Sequence, residues 1–280
     1  TLLFVCALQV LAAPCTYGQE SEPVPDAEPV SEAESDTDAE PKQWGRGPLE
    51  VRDPFILAYQ RLSPWARSPE TLAHLQVEAA VRTVWANSYG FRRGRVLIDA
   101  ETWRADMTIR LGLFDRFEVG FTLPYQWRGG GVMDGFLEGF HETFGLPDGN
   151  RDKSKRDTFK VTGVEDDGSP FEIEHKGDGF VDLMLEGRAL LTEGGELLPA
   201  AALTLRLRLP TGRSDFDLAD GVDMTFGLDL SKRLLGLPLI VYGSLAYTYS
   251  TDGHVNDLRV QKHRGFIALG IEFEANEWVS

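Results

Sequence analysis

The residues most suggestive of chemistry in this chain are His141 and Glu142, in the stretch FHETFGLPDGNR at positions 140–151. A histidine followed by a glutamate begins the H-E-x-x-H motif of zinc proteases, in which two histidines one helical turn apart hold zinc and the glutamate activates water. The second histidine would fall at position 145, which is Gly145. The motif is therefore incomplete, and we expect no metal at these residues.

The same stretch runs into a partial calcium-loop pattern. Asp148, Asn150 and Asp152 occupy the first, third and fifth positions of such a loop. Lys153 stands where the loop requires glycine, and Phe159 stands where the bidentate glutamate belongs. The chain also lacks the phosphate-loop, dinucleotide and serine-hydrolase fingerprints. The sequence thus predicts no catalytic residue, no metal site and no cofactor.

Charge limits the partners that this chain can bind. Its formal net charge is -16, from 44 acidic and 28 basic residues, whereas a protein that binds a nucleic-acid backbone needs an excess of positive charge. We therefore expect no nucleic-acid partner. Much of the acidity lies in residues 19–44, which contain almost no large apolar side chain and so cannot form a core. We predict that this segment is a disordered acidic tether.

Residues 1–18 have the composition of a secretory signal peptide. A short apolar run is followed by small residues and then by the acidic segment, and the run is too short for a comfortable helical membrane span. We expect the sequence to begin inside the signal and cleavage to follow Gly18, which would remove Cys6 and Cys15 and leave no cysteine. The predicted organisation is a signal peptide (1–18), the tether (19–44) and one domain (45–280).

From residue 73 onward, apolar residues recur at every second position, which is the period of a β-strand. The clearest segment places Trp103, Met107 and Ile109 on one face, and Arg104 and Arg110 on the other. Each such strand has one continuous apolar face and one polar face. Further strands of this kind are predicted near residues 75–85, 117–127, 181–191, 203–209, 222–230, 239–249 and 267–273, and an earlier one in PFILAYQRL at 54–62.

Two architectures contain such strands, a soluble sandwich and a transmembrane barrel. The strands are long, aromatic residues stand near their ends, and short connections alternate with long ones, as in outer-membrane barrels. The sequence therefore predicts an all-β, antiparallel up-and-down transmembrane β-barrel of about 8–12 strands. We expect it in the bacterial outer membrane, with membrane lipid as its partner. Because such barrels close with an even number of strands, we expect a further strand beyond the eight or nine counted before residue 280.

Three motifs carry a resemblance. GPLEVRDPF follows the tether, FHETFGLPDGNR lies in the longest connection, and LRLPTG ends a strand. This combination resembles a family of uncharacterised bacterial outer-membrane proteins that is known only as a domain of unknown function, with the pattern FHxxFGLPxGxR. The resemblance covers roughly residues 45–280. It implies a location and a fold, and it carries no assigned activity.

The connection at 128–179 contains the segment VMDGFLEGFHETFG, which has the three- and four-residue spacing of an amphipathic helix ended by Gly145 and Pro147. We expect its phenylalanines to pack on the barrel rim. The alternative is a lid or plug that selects what enters the barrel. The candidate lid residues are Asp134, Glu138, His141, Glu142 and Arg151.

The polar strand faces would line the barrel interior. Their charges would neutralise one another in a narrow barrel or line a water-filled pore in a wider one. Arg206 and Arg208 are the first candidates for binding an anion or a carboxylate. The full set of pore-lining or ligand-binding candidates is Arg104, Arg110, Arg206, Arg208, Asp182, Glu186 and Asp223.

The sequence leaves three functions open. The first is a barrel without enzymatic activity, acting as a passive pore or a transporter of a small-molecule solute. The second is a membrane-embedded lipid hydrolase, although the spacing of the five histidines indicates no serine–histidine pair. The third is a structural or adhesive barrel that conducts nothing. The sequence does not set the oligomeric state.

Overall fold

The computed structural model describes residues 2–11, 47–48, 50, 55–92, 95–146, 157–165, 167–212, 219–234, 237–255 and 258–273. These residues form a mostly antiparallel β-sheet that curls strongly into a half-barrel, with two short helices. The elements are β1 (Leu2–Leu11), α1 (Ile56–Tyr59), β2 (Val77–Arg92), β3 (Val96–Leu113), β4 (Phe117–Gly129), α2 (Asp134–Phe144), β5 (Lys160–Val164), β6 (Pro170–Ile173), β7 (Gly177–Phe180), β8 (Leu183–Thr192), β9 (Ala200–Leu209), β10 (Asp223–Arg233), β11 (Leu239–Ser250), β12 (His254–Val255), β13 (Leu258–Arg259) and β14 (His263–Phe273).

The main sheet follows the chain, because neighbouring strands are almost always successive long strands of the sequence. Its order is β1-β2-β3-β4-β8-β9-β10-β11-β14. The hairpin β5–β6 adds to the far end of β3, β7 pairs with β4, and β12–β13 forms a separate hairpin. The eight strands predicted from the period of two, between residues 75 and 273, are confirmed as β2, β3, β4, β8, β9, β10, β11 and β14.

The register places the apolar residues of successive strands on one face. Trp85 pairs with Trp103, which pairs with Trp127, while Leu205 pairs with Phe226. Since side chains alternate along a strand, aligned pairs of this kind make one side of the sheet apolar throughout. This outer face is solvent-exposed in the structure, and its exposed members are Val77, Val81, Ile109, Phe117, Val119, Phe121, Leu185, Leu203, Leu205, Phe226, Leu245, Tyr247, Ile267, Leu269, Ile271 and Phe273.

The inner, concave face carries the charges and is buried. Its buried polar members include Arg104, Asp106, Arg110, Glu118, Arg188, Thr204, Arg206, Arg208, Asp223, Thr225, Asp229, Ser231, Ser244, Thr248 and Ser250. Arginine, aspartate and glutamate are seldom buried in proteins unless they are paired, whereas aliphatic residues usually are. The distribution is therefore the reverse of that in a water-soluble β-sheet protein.

A strand was expected in PFILAYQRL, and this expectation is wrong. The residues form the short helix α1 and then an extended stretch that runs along the concave face; we call residues 55–74 the lumen segment. Phe55 and Ile56 join a small apolar cluster with Ala100 and Val161, and at the other end the His74 amide donates to Asp115. The segment contains Pro64, which lacks a backbone donor, and its partners are side chains of the sheet rather than a neighbouring strand.

The two ends of the sheet differ in their connections. Short links at 113–117, 192–200 and 233–239 mark the short-turn end, and the opposite, long-loop end carries the connections at 129–183 and 209–223. The link between β2 and β3, at 92–96, is short although it lies at the long-loop end. These two strands are 16 and 18 residues long and extend beyond the rest of the sheet, where β3 also pairs with β5.

The connection predicted as one long loop with a helix holds more structure than that, namely α2 and the strands β5, β6 and β7. Among the described residues, neither helix is long and apolar enough to cross a membrane. β1 lies within the predicted signal peptide and pairs along β2. Whether residues 1–18 are cleaved stays a prediction, and the tether lies outside the described residues.

Gly112 offers a test of how the lumen segment leaves the concave face. Its amide and carbonyl bond to Gln76 and Leu75, and a Cβ atom built on it would lie 2.0 Å from the carbonyl oxygen of Ala73. Because backbone cannot move aside cheaply, we expect Gly112→Ala to lower the free energy of unfolding by about 1–3 kcal/mol, measured by denaturant titration. Gly187→Ala is the matched control, since a Cβ there meets nothing within 4 Å. Equal stability of the two variants would contradict this packing.

Candidate functional site

Arg67, in the lumen segment, forms ion pairs with two carboxylates of the sheet. Its Nη1 atom lies 2.8 Å from Oε1 of Glu118 on β4 and 2.6 Å from Oε1 of Glu186 on β8. An arginine guanidinium stays protonated in proteins, and both of its carboxylate partners here are acceptors. The side chain is therefore a fixed cation that joins the lumen segment to two neighbouring strands.

A second contact lies nearer the long-loop end, at Asp223, the first residue of β10. The Leu62 amide donates to its Oδ2 atom at 2.7 Å, and Arg61 Nη1 lies 3.3 Å from Oδ1. Arg208 on β9 donates to the same carboxylate through Nε at 3.0 Å and also pairs with Asp182. One carboxylate thus accepts from the wall and from the lumen segment together, as a buried charge requires.

A third contact runs through Arg188 on β8. Its guanidinium donates to the carbonyl oxygens of Ser68 at 2.6 Å and Glu70 at 3.0 Å, and lies 3.4 Å from Asp229. Asp229 in turn accepts from Ser244 on β11 at 2.7 Å. These bonds connect the part of the lumen segment nearer the short-turn end to β8 and β10, the strands on either side of β9.

Trp65 of the lumen segment adds an aromatic contact with a charged residue of the sheet. The guanidinium carbon of Arg206 lies 3.8 Å from the centre of the indole ring, within the range of a cation–π interaction. Arg206 is also paired with Glu186, the carboxylate that Arg67 contacts. The wall arginine is therefore enclosed by a carboxylate and by a ring from the lumen segment.

The structure brings most of the sequence-predicted lining residues together. Arg110 pairs with Glu78 and lies near Glu118 and Glu186, whereas Arg104 pairs with Asp106 on its own strand. Arg206 and Arg208, the expected anion binders, each face a carboxylate within the protein. Sequence reasoning missed Arg61, Trp65 and Arg67. The available signal was a tryptophan and two arginines within QRLSPWAR, between the acidic tether and the first regular strand.

A cavity of about 1130 Å³ lies between the lumen segment, β2 and the last two strands of the sheet. It contains both signs of charge. Arg82 and Glu50 pair across it at 2.7 Å, and Tyr242 donates to Glu272. The charged residues of its lining are Arg67, Arg82, Arg110, Glu50, Glu70, Glu78, Glu118 and Glu272.

The lid candidates lie elsewhere, on and beside α2. The Asn87 side-chain amide donates to Asp134 at 3.4 Å, and the Met133 backbone amide donates to Glu101 at 3.1 Å. Asn87 and Glu101 lie on the same outer face of the sheet as Trp85 and Trp103. His141 is buried, Glu138 is half-buried and Glu142 is exposed, while Arg151 lies outside the described residues.

The expected packing of the helix is reversed. Asp134, Leu137 and His141 face the protein, while Phe136 and Phe144 are 58% and 64% exposed. Across the described part of the chain, His, Cys, Asp and Glu side chains form no cluster of three or more that is suited to a metal ion.

Sequence comparison gives a family without an activity. No curated protein matches the chain. The model of the family described as "Protein of unknown function (DUF3187)" matches residues 30–280, beginning inside the segment predicted as a tether. It therefore covers the lumen segment, α2 and every strand of the sheet except β1. Because the match extends over most of the sequence, this chain belongs to the DUF3187 family of unknown function.

Proposed function

We propose that this protein is a non-enzymatic β-barrel of the bacterial outer membrane, that the lumen segment closes it, and that it passes a small polar solute when that segment is displaced. The observation that carries the proposal is the reversed distribution of side chains on the curled sheet. The convex face presents Ile109, Leu205 and Phe226 outward, and the concave face buries arginines and carboxylates. Lipid stabilises an apolar exterior that water would not.

The height of the apolar face fits a bilayer. On β3 it extends from Trp103 to Leu113, ten residue steps or about 34 Å along the strand. At a tilt of about 40° this corresponds to roughly 26 Å along the membrane normal, close to the ~25 Å apolar band of outer-membrane barrels. At the end of this apolar face nearer the long loops, Trp103 and Phe180 each contact Tyr125 edge to face, where an aromatic girdle would stand.

The space on the concave side of the sheet indicates how many strands a closed barrel would need. The path from β2 to β14 has eight strands, and both the lumen segment and the large cavity lie on its concave side. In eight-stranded barrels, side chains fill the interior or leave room for one small ligand, which is less than an enclosed chain segment needs. In our proposal the closed barrel therefore has more than eight strands, within the upper part of the range expected from the sequence.

The lumen segment favours a gated conduit over a passive pore. Arg61, Trp65 and Arg67 lie along the concave face, where they contact charged side chains of the strands that would otherwise face water. The mixed signs in the cavity lining suit a neutral or zwitterionic polar solute better than a strongly charged one. A second candidate, a sealed structural barrel, is favoured by the same close pairing, and conductance distinguishes the two.

Leu205→Arg tests the lipid-facing assignment. Leu205 lies mid-strand on β9 and is 40% exposed on the convex face. At the bilayer midplane an arginine costs about 2–4 kcal/mol, whereas at a water-exposed site a substitution changes stability by about 0.5 kcal/mol or less. We expect the larger loss in urea titrations of the protein folded into phosphatidylcholine vesicles. Leu198→Arg, in a short turn at 66% exposure, is the control and should be neutral. A neutral Leu205→Arg would contradict the membrane proposal.

Arg67→Ala tests the gate. Removal of one partner from a buried ion pair costs about 3–5 kcal/mol, so the docked position of the lumen segment should be strongly weakened. In planar bilayers we expect the wild-type full-length protein to be nearly silent and the variant to show frequent openings. Arg116→Ala, which removes an exposed pair with Glu193, should behave as wild type.

The conductance results separate the candidates. A wild-type protein that conducts as freely as Arg67→Ala would exclude closure by the lumen segment and restore the passive pore. Silence of wild type, Arg67→Ala and a Trp65→Ala/Arg67→Ala double variant, each shown to be folded, would favour the structural barrel.

A further inference from the structure

α2 has two chemically opposite flanks. At ~100° per residue, Phe136, Phe140 and Phe144 fall on one side of the helix, while Glu138 and Glu142 fall on the opposite side. The phenylalanines contact one another along the helix, with ring centroids 6.2 and 4.6 Å apart. The half-buried Phe140 therefore joins the exposed Phe136 and Phe144 into one continuous aromatic stripe, and the buried residues separate this stripe from the acidic flank.

The buried stripe fixes how the helix lies. Asp134, Leu137 and His141 are buried on a line between the two flanks, over two successive turns. The helix thus lies along the protein and does not project from it. Its first turn is held by the Met133 amide on Glu101 and by Asp134 near Asn87, so it rests on the convex face of β2 and β3.

The height of this contact places the helix beside the aromatic girdle. Glu101 is two residues beyond Trp103 on the same face of β3, or about 7 Å along the strand. A helix at this position lies next to the end of the apolar band that is nearer the long loops. An amphipathic helix at the membrane interface buries its apolar side about 5–10 Å into the boundary of headgroups and acyl chains.

We propose that α2 is an interfacial anchor, with Phe136, Phe140 and Phe144 inserted among the acyl chains of the outer leaflet and Glu138 and Glu142 turned to water. In this arrangement the aromatic stripe adds apolar surface beside the girdle, and the opposite acidic flank prevents the helix from sinking further. This inference rests on the proposed membrane location. It makes α2 part of the attachment to lipid instead of a lid over the lumen.

Site-directed spin labelling tests the proposal. Single cysteines replace Phe136, Phe144, Glu142 or Leu205 in the full-length protein, with Cys6 and Cys15 changed to serine wherever they are retained. Each variant carries a nitroxide and is folded into dioleoylphosphatidylcholine vesicles. We expect labels at 136, 144 and 205 to collide several-fold more with oxygen, relative to a water-soluble nickel chelate, than the label at 142.

The label at 205 separates failure of this inference from failure of the proposed function. Lipid exposure at 205 with water exposure at 136 and 144 would overturn the anchor and leave the barrel in the membrane. Water exposure at all four positions would overturn both. Shielding of 136 and 144 from both reagents would show that protein, such as a second copy of this chain, covers the stripe, and it would also overturn the anchor.

Discussion

The structure depends on the electrostatic constraint that buried charges must be paired. Glu118 is buried and Glu186 is largely buried on the concave side of the sheet, where an isolated carboxylate would be strongly unfavourable. Wall arginines meet part of this need, and Arg67 supplies a further cation from the lumen segment at 2.8 and 2.6 Å. The course of residues 55–74 through the interior follows from this requirement, because no regular hydrogen-bond ladder holds them there.

The need to pair buried charges also explains why the polar side chains lie on the concave face of the sheet and the apolar ones on the convex face. A polar concave face can be buried only if its groups bond to one another or to an enclosed segment, and here they do both, as in the contacts of Asp223 and Arg188. The convex face is left with the apolar residues, which water does not stabilise. In our functional proposal, lipid on the outside and a charged segment on the inside are two consequences of this one arrangement.

The parts of the fold that could be predicted are those with a repeating pattern. Trp103, Met107 and Ile109 alternate with arginines because a strand has a period of two, and this alternation located β3 and seven other strands. In the lumen segment, the strand predicted at residues 54–62 was wrong because the conformation there depends on side chains far away in sequence, such as Asp223, which accepts from the Leu62 amide. The α2 helix was predictable from its spacing, but its buried side was not, because Asp134 turns inward to a polar partner that only the sheet provides.

By itself, the sequence determined the strands, their two faces and the near balance of charge on one of them, since all of these follow from local periodicity. It also narrowed the chemistry, since position 145 is glycine and the zinc motif is incomplete. Only the tertiary structure decided which arginine meets which carboxylate, that residues 55–74 lie within the curl of the sheet, and that Phe136 and Phe144 face outward. These features join residues that are distant along the chain, and curling of the sheet is what brings them within bonding distance.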